Sequence, residues 1–155
     1  MIKIIVDSNI LFSAVLNINS RIGQIIINGQ EFYDFYAPKY ARTEILKHKD
    51  KIKKIAQLND EEFLEVYELI FGYITILNHS ILPKNYFNKA FEYCEQIDID
   101  DTFFVGFSAY LKSKLWTGDK KLIIGLQNKG FRRTITTEEL YKDFIEKSKQ
   151  KNRNE

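Results

Sequence analysis

Short apolar runs alternate with longer segments of helical periodicity along most of the chain. The first run, Ile2 to Val6, is aliphatic except for Lys3, which is the pattern of a central strand buried on both faces. Similar runs predict further strands at residues 32–37, 73–77, 114–117 and 133–135. Because strands and helices alternate, we expect an α/β fold with three layers, α/β/α, in which right-handed crossovers join a mostly parallel central sheet.

Several helix boundaries are marked by residues that commonly start or stop helices. Gly29 ends a helix predicted at residues 21–28, and Asn59 with Asp60 can cap a helix that Gly72 ends. The remaining helices are predicted at residues 9–16 (a helix or a loop), at 38–56, after Pro83, from an acidic helix start at 98–102 onward, at 121–128 and from residue 137 onward.

Four acidic residues stand at element boundaries or beside a helix turn: Asp7, Glu44, Asp101 and Asp119. Asp7 and Asp119 follow predicted strands and Asp101 opens a helix, so these three can converge where the carboxyl ends of parallel strands meet. Carboxylate oxygens suit hard divalent ions such as Mg²⁺ or Mn²⁺, which proteins hold together with water and substrate phosphate. The pattern therefore indicates a metal-dependent phosphodiesterase.

Each of these acids also has an ordinary structural interpretation. Asp7 and Asp119 can cap the helices that follow them, and Glu44 can be a solvent-facing partner of a helix dipole. Asp98, Asp100 and Asp101 cannot all cap one helix, and three like charges at one helix start repel one another unless a cation or basic groups lie nearby. The combination favours a shared site more than any single residue does.

The length and composition of the chain limit the classes of protein to which it can belong. A chain of 155 residues is the size of one domain, which we expect at residues 1–148, followed by a frayed tail at 149–155. The single cysteine, Cys94, cannot form an internal disulfide and fits a small buried side chain in a reducing, cytoplasmic protein. The first apolar run is too short for a signal peptide or a membrane span, so we expect a soluble protein with no membrane partner.

The chain is rich in aromatic residues, with 12 Phe and 9 Tyr, and has a formal net charge of only +2. Phe12, Tyr33, Phe35 and Phe63 can supply protein interfaces, although core packing is their ordinary use. The small net charge does not by itself indicate nucleic-acid binding. If the acids gather in one site, the remaining surface is cationic; the lysines can then contact phosphates, although a solvated helix face is their ordinary interpretation.

Four segments together resemble the motifs of the PIN-domain nucleases, over nearly the whole chain. They are IIVDSNILFSA at residues 4–14, RTEI at 42–45, DIDDTFFVGFSA at 98–109 and LWTGDKKL at 115–122. The resemblance implies a PIN-like fold in which Asp7, Glu44, Asp101 and Asp119 form an acidic quartet and bind metal, with Asp98 or Asp100 as a further possible ligand. It also implies that Asn9 and Thr117 are polar neighbours that orient ligands or water.

The same resemblance implies a Mg²⁺- or Mn²⁺-dependent endoribonuclease acting on single-stranded or loop RNA. A small chain without an accessory module is similar to the VapC-like toxin branch, which implies a homodimer and an antitoxin that plugs the acidic crevice, often with a basic side chain. Gly106 stands where the family commonly has alanine, a difference that weakens the helix by up to roughly 1 kcal/mol.

Other functional classes remain open at the level of sequence. The chain can be a PIN-like module that binds RNA or protein without turnover, or a housekeeping RNA-processing nuclease. A phosphotransfer receiver or a haloacid-dehalogenase-like phosphatase also has a strand-end aspartate, but Asp7-Ser8-Asn9 lacks the second carboxylate that such a phosphatase has two residues later.

Overall fold

Five parallel strands form the centre of the computed structural model, which describes residues 1–155. The strands are β1 (Ile2–Val6), β2 (Tyr33–Pro38), β3 (Ile74–Leu77), β4 (Lys114–Trp116) and β5 (Thr134–Ile135), in the spatial order β3-β2-β1-β4-β5. β1 is central because Ile4, Ile5 and Val6 are fully buried. The chain moves outward from β1 to β3 and then returns to the other side, so the strand order reverses between β1 and β4.

Nine α-helices flank this sheet, which gives the expected three-layer α/β/α architecture. They are α1 (Ser8–Leu16), α2 (Arg21–Asn28), α3 (Lys39–Lys47), α4 (Lys49–Ala56), α5 (Asp60–Phe71), α6 (Lys84–Cys94), α7 (Thr102–Tyr110), α8 (Lys120–Asn128) and α9 (Thr137–Asn154). Three short 3₁₀ turns lie at Gly29–Glu31, His79–Ile81 and Ile99–Asp101.

Helix starts follow the capping residues that the sequence predicts. Asn59 and Glu62 form a reciprocal capping box at the start of α5, and Thr136 and Glu139 form another at the start of α9. Pro83 directly precedes α6.

The prediction of one helix over residues 38–56 is wrong. The segment forms two helices, α3 and α4, because His48 leaves the helical conformation with φ −101° and ψ 14°. Its lysine-rich sequence contains good helix formers and no stop signal, so the break comes from tertiary packing, in which Ile45 of α3 and Ile52 of α4 are both buried.

Two further boundaries differ from the sequence prediction. The acidic segment at 98–101 begins with a 3₁₀ turn, and α7 starts only at Thr102. At the other end of the chain, α9 continues to Asn154 through the segment predicted to fray. The division between a domain at 1–148 and a tail at 149–155 stays a prediction.

The aromatic residues mostly serve the core. Tyr33, Phe35 and Phe63 are buried, whereas Phe12 is only partly buried. The Tyr33 hydroxyl donates a hydrogen bond of 2.6 Å to Asp143 and so joins β2 to α9. Cys94 is a buried free thiol whose pKa is raised to about 12, mainly by burial, which agrees with a structural role.

No single helix is long and apolar enough to cross a membrane, and only α1 taken together with the following helical segment up to Glu31, at a bend of 100°, reaches that length and hydropathy.

Gly106 permits close packing between α7 and its neighbours. A Cβ at this position would lie 2.7 Å from Leu82 Cδ2 and 3.5 Å from Ala90 Cβ. The lost helix propensity of glycine is therefore the consequence of a close approach to α6 and the turn before it.

Gly23 has even less room for a side chain than Gly106, and this difference gives a test of the fold. A Cβ there would lie 2.1 Å from the backbone oxygen of Ile18, and a backbone atom cannot rotate away. We expect Gly23→Ala to lower the free energy of unfolding by at least about 1–3 kcal/mol in chemical denaturation. Gly118→Ala is the control, because nothing lies within 4 Å of its Cβ position, and equal stability of the two variants would contradict this packing.

Candidate active site

Asp7 is held rigidly at the carboxyl end of β1. Its N–H donates to the Trp116 carbonyl at 3.0 Å, and its own carbonyl accepts the N–H groups of Ile10 and Leu11. The side chain is only 4% exposed and makes no capping hydrogen bond to α1. The interpretation of Asp7 as a helix cap is therefore wrong, and its carboxylate points to other partners.

Thr117 is the main partner that orients Asp7. Its fully buried hydroxyl donates a hydrogen bond of 2.7 Å to Asp7 Oδ2 and accepts the N–H of Asp119 at 3.2 Å. One hydroxyl thus links the ends of β1 and β4 to the start of α8. The polar supporting role expected of Thr117 has a definite geometry here.

Asp119 caps α8, as its ordinary interpretation predicts. Its Oδ1 accepts the N–H of Leu122 at 3.1 Å, while Oδ2 makes no hydrogen bond. The charge of Asp119 nevertheless raises the pKa of both Asp7 and Asp101. Asp119 is therefore a cap with one free oxygen that belongs electrostatically to the same site.

Glu44 lies on α3 and is partly buried toward these acids. Burial raises the pKa of Glu44, and the charges of Asp7, Asp100 and Asp98 raise it further. The side chain is therefore not only a solvent-facing partner of a helix dipole. Among the predicted residues, Asn9 lies farther out, exposed at the rim beside Glu44.

Asp101, at the end of the 3₁₀ turn, has a strongly raised pKa. Burial raises its pKa to about 8, and the charges of Asp7, Asp98, Asp119 and Glu44 contribute to the rise. The structure therefore brings the predicted quartet into mutual electrostatic contact from four separate parts of the chain.

The structure distinguishes Asp98 from Asp100. Burial is the main cause of the raised pKa of Asp7, Asp101 and Glu44, and the charge of Asp98 raises all three further. The charge of Asp100 contributes only to that of Glu44 among these acids, and both charges also act on Tyr40. Asp98 Oδ1 also accepts the Asp100 N–H at 3.0 Å. These interactions favour Asp98 over Asp100 as an additional member of the site. The five residues Asp7, Glu44, Asp98, Asp101 and Asp119 are called the acid cluster below.

The acid cluster lacks basic partners. All the salt bridges of the protein lie elsewhere, and none includes a member of the acid cluster. Buried carboxylates without a counter-charge fit a divalent cation, and the all-oxygen donor set fits a hard one. No group of three His, Cys, Asp or Glu side chains is already arranged as a metal site.

Ser8 is a site residue to which the sequence analysis gave no role. Its hydroxyl is buried and makes no hydrogen bond of regular geometry, yet it lies near enough to Glu44 to offset part of the rise in the pKa of Glu44. Ser8 and Glu44 border a cavity of about 150 Å³ that is also lined by Phe12, His48 and Lys51. The sequence does contain a signal for Ser8, because it is a polar residue placed between the aspartate at the end of a strand and an apolar helix.

Comparisons with known proteins agree with this fold. The PIN domain family matches residues 5–146. A chain in the crystal structure of VapBC2 from Rickettsia felis, bound to a DNA fragment from their promoter, is 13% identical, with a TM-score of 0.65 over 87% of this chain and 98% of that one. PAE2754 from Pyrobaculum aerophilum is 12% identical, with a TM-score of 0.67 over 93% and 90% of the two chains. No curated protein sequence matches the chain.

The pKa of Asp101 gives a test of the crowded charges. Its folded value of about 8 lies above the ordinary 3.8, so the native state binds more protons between these values and stability falls as pH rises through that window. We expect the melting temperature of the protein in EDTA to fall from pH 6 to pH 9, and Asp101→Asn to reduce this fall.

The matched control is Asp60→Asn, because that side chain is 74% exposed and lies outside the acid cluster. It should keep the wild-type dependence on pH in the same melting series. An equal slope in Asp101→Asn and wild type would show that Asp101 is not the group that titrates.

Proposed function

The chain belongs to the PIN domain family of nucleases, and from that premise we propose that it is a metal-dependent endoribonuclease that hydrolyses RNA phosphodiester bonds at the acid cluster. One observation carries the proposal: the carboxylates are gathered at the switch point of the sheet and partly buried without a basic partner. A site of this kind suits a divalent ion and a substrate phosphate better than it suits a structural role.

The residues have distinct roles in this proposal. Asp7 and Asp101 would be the main ligands of Mg²⁺ or Mn²⁺, and the free oxygen of Asp119 would be a third, direct or through water. A bound ion supplies activation of water and neutralisation of phosphate charge. Thr117 keeps Asp7 Oδ2 in a fixed direction, which limits the movement needed on binding.

Glu44 is the candidate proton acceptor. Its raised pKa makes it a stronger base than an ordinary glutamate, and its neighbour Ser8 has a hydroxyl free to orient water or substrate. On the opposite side of the same small cavity, Lys51 lies 5.7 Å from the Phe12 ring and has no ion-pair partner. Lys51 can therefore contact a phosphate of the RNA strand.

We further propose that the protein is the toxin of a toxin-antitoxin pair and acts in the cytoplasm. The likeness in fold to VapBC2 and the small size of the chain support this proposal. An antitoxin would block the acid cluster by inserting a basic side chain, because the acid cluster has no internal counter-charge. A homodimer is also proposed, and the half-exposed Leu46, Ile55 and Leu64 offer apolar area for such contacts.

Cleavage of a mixed RNA pool tests the enzymatic proposal. We expect cleavage with Mg²⁺ or Mn²⁺, none in EDTA, and loss of at least about 100-fold in rate for Asp7→Asn and Asp101→Asn, with the fold intact by circular dichroism. Asp60→Asn should retain the wild-type rate. Wild-type cleavage by either acid-cluster variant would refute the site.

The alternative functions predict different results in these assays. RNA binding without metal-stimulated cleavage would identify a binding module. Turnover of acetyl phosphate or a chromogenic phosphomonoester, without RNA cleavage, would identify the phosphotransfer or phosphatase chemistry instead.

Growth of a bacterial host tests the toxin proposal. Induced expression of the wild-type protein should arrest growth, because uncontrolled RNA cleavage removes templates for translation, whereas Asp101→Asn should leave growth unchanged. Colony counts after induction measure the effect, and Asp60→Asn should be as toxic as wild type. A wild-type protein that cleaves RNA in solution but does not slow growth would favour a housekeeping nuclease.

A further inference from the structure

A second cavity, of about 250 Å³, lies next to the acid cluster, because its lining includes Asp100 and Thr102, on either side of Asp101, and Tyr40, whose pKa is raised mainly by burial and also by the charges of Glu44 and Asp101. It is called the aromatic cavity here and is lined chiefly by Tyr40, His79, Phe87, Phe91, Asp100 and Phe103. We propose that it binds one unpaired nucleobase of the RNA substrate, next to the bond that is cleaved, and that it selects guanine. This inference rests on the proposed function, to which it adds the base specificity of the same site.

The aromatic rings form a platform instead of a filled core. Phe103 and His79 stack with centroids 3.8 Å apart and an angle of 13°, and Phe87 lies 5.3 Å from Phe103. Phe91 extends the row, 6.4 Å from Phe87. These side chains are only partly buried, so part of the row is accessible to a flat ligand. Stacking on aromatic side chains is the usual way in which proteins hold unpaired bases.

The platform is fixed to the acid cluster. His79 Nε2 accepts the backbone N–H of Tyr40 at 3.4 Å, which connects the turn before α6 to the first turns of α3, the helix that carries Glu44. Phe103 stands two residues after Asp101 at the start of α7. A base on these rings therefore belongs to a nucleotide whose phosphate lies close to the carboxylates.

Asp100 supplies the polar contact that distinguishes bases. Its side chain is exposed, borders the aromatic cavity, and makes neither a hydrogen bond nor a salt bridge through its carboxylate oxygens. An ionised carboxylate accepts hydrogen bonds only. Guanine presents two adjacent donors, N1–H and the 2-amino group, on its Watson–Crick edge, whereas uracil presents a single N–H, so guanine fits best.

The charge distribution of the aromatic cavity favours a nucleobase over an acidic peptide or a phosphate. The Asp100 carboxylate at the rim would repel an acidic peptide, and the cavity is lined by no lysine or arginine that could hold a phosphate. Its one imidazole, His79, has a pKa lowered by burial, which favours the uncharged form. An uncharged, flat group with hydrogen-bond donors at its edge meets both the apolar rings and the acceptor. A nucleobase has these properties, and its phosphate would lie outside the cavity toward the acid cluster.

Two measurements test the proposal. The first compares kcat/KM for short oligouridine strands that contain one guanosine, adenosine or cytidine, or none. The second measures binding of the same labelled strands by fluorescence anisotropy in the Asp101→Asn background, where cleavage is expected to be lost. We expect wild type to cleave beside guanosine, and Phe103→Leu and Phe87→Leu to lose about 10-fold in kcat/KM and in affinity for that strand.

Leucine keeps the apolar volume of both positions while it removes the ring, and thermal melting checks that each variant folds. Tyr93→Leu is the matched control on α6, because Tyr93 packs on Phe131, 5.7 Å away, in a different cavity. It should retain the wild-type preference. Asp100→Asn should flatten the preference between guanosine and the other bases without changing the Mg²⁺ concentration required for cleavage.

The outcomes separate the two proposals. Cleavage that is equal at all bases, or unchanged in both leucine variants, overturns the nucleobase site and leaves the nuclease proposal intact. Absence of cleavage, with guanosine-dependent binding that Phe103→Leu abolishes, overturns the nuclease proposal and supports the site. Absence of both cleavage and base-dependent binding overturns both, and tight binding of a second copy of the chain at these rings would assign the cavity to self-association.

Discussion

One electrostatic constraint governs this protein: a buried carboxylate, Asp7, and three half-buried ones, Glu44, Asp101 and Asp119, lie near one another without a basic partner. Asp7 is 4% exposed, and burial with the charges of its neighbours raises the pKa of Asp101 to about 8. Such a concentration of like charge opposes folding, so rigid elements must impose it. Here the rigidity comes from the central strand β1, whose apolar residues are fully buried, and from the Thr117 hydroxyl that joins it to β4.

The strand order explains why the acids meet at one place. The sheet runs outward from β1 in both directions, so the loops after β1 and β4 diverge and leave a crevice between them. The crevice has two unlike sides. Lys51 and His48 border a small polar cavity beside Glu44, while aromatic rings border the cavity beside Asp100. The proposed RNA substrate has the same division, because its phosphates are anionic and its bases present flat, apolar faces.

Much of this could be predicted from sequence, because the relevant signals are local. The aliphatic run at Ile2–Val6 specified a buried strand, Asn59 specified a helix start, and the alternation of elements specified a parallel sheet with covered faces. The motif pattern specified the PIN family and named the acids. Asp119 illustrates the limit of such reasoning, since it turned out to be both a helix cap and a neighbour of the other carboxylates.

The sequence by itself determined the fold class and the family, because periodicity, capping and motif spacing act between residues close in the chain. It also singled out the acids that are proposed as the site. Only the tertiary structure decided the break at His48, the role of Ser8 beside Glu44, the closer involvement of Asp98 than of Asp100, and the meeting of His79 with Phe103. These features arise where distant segments pack together. Burial and electrostatic interaction depend on distances in space, which spacing along the chain does not fix.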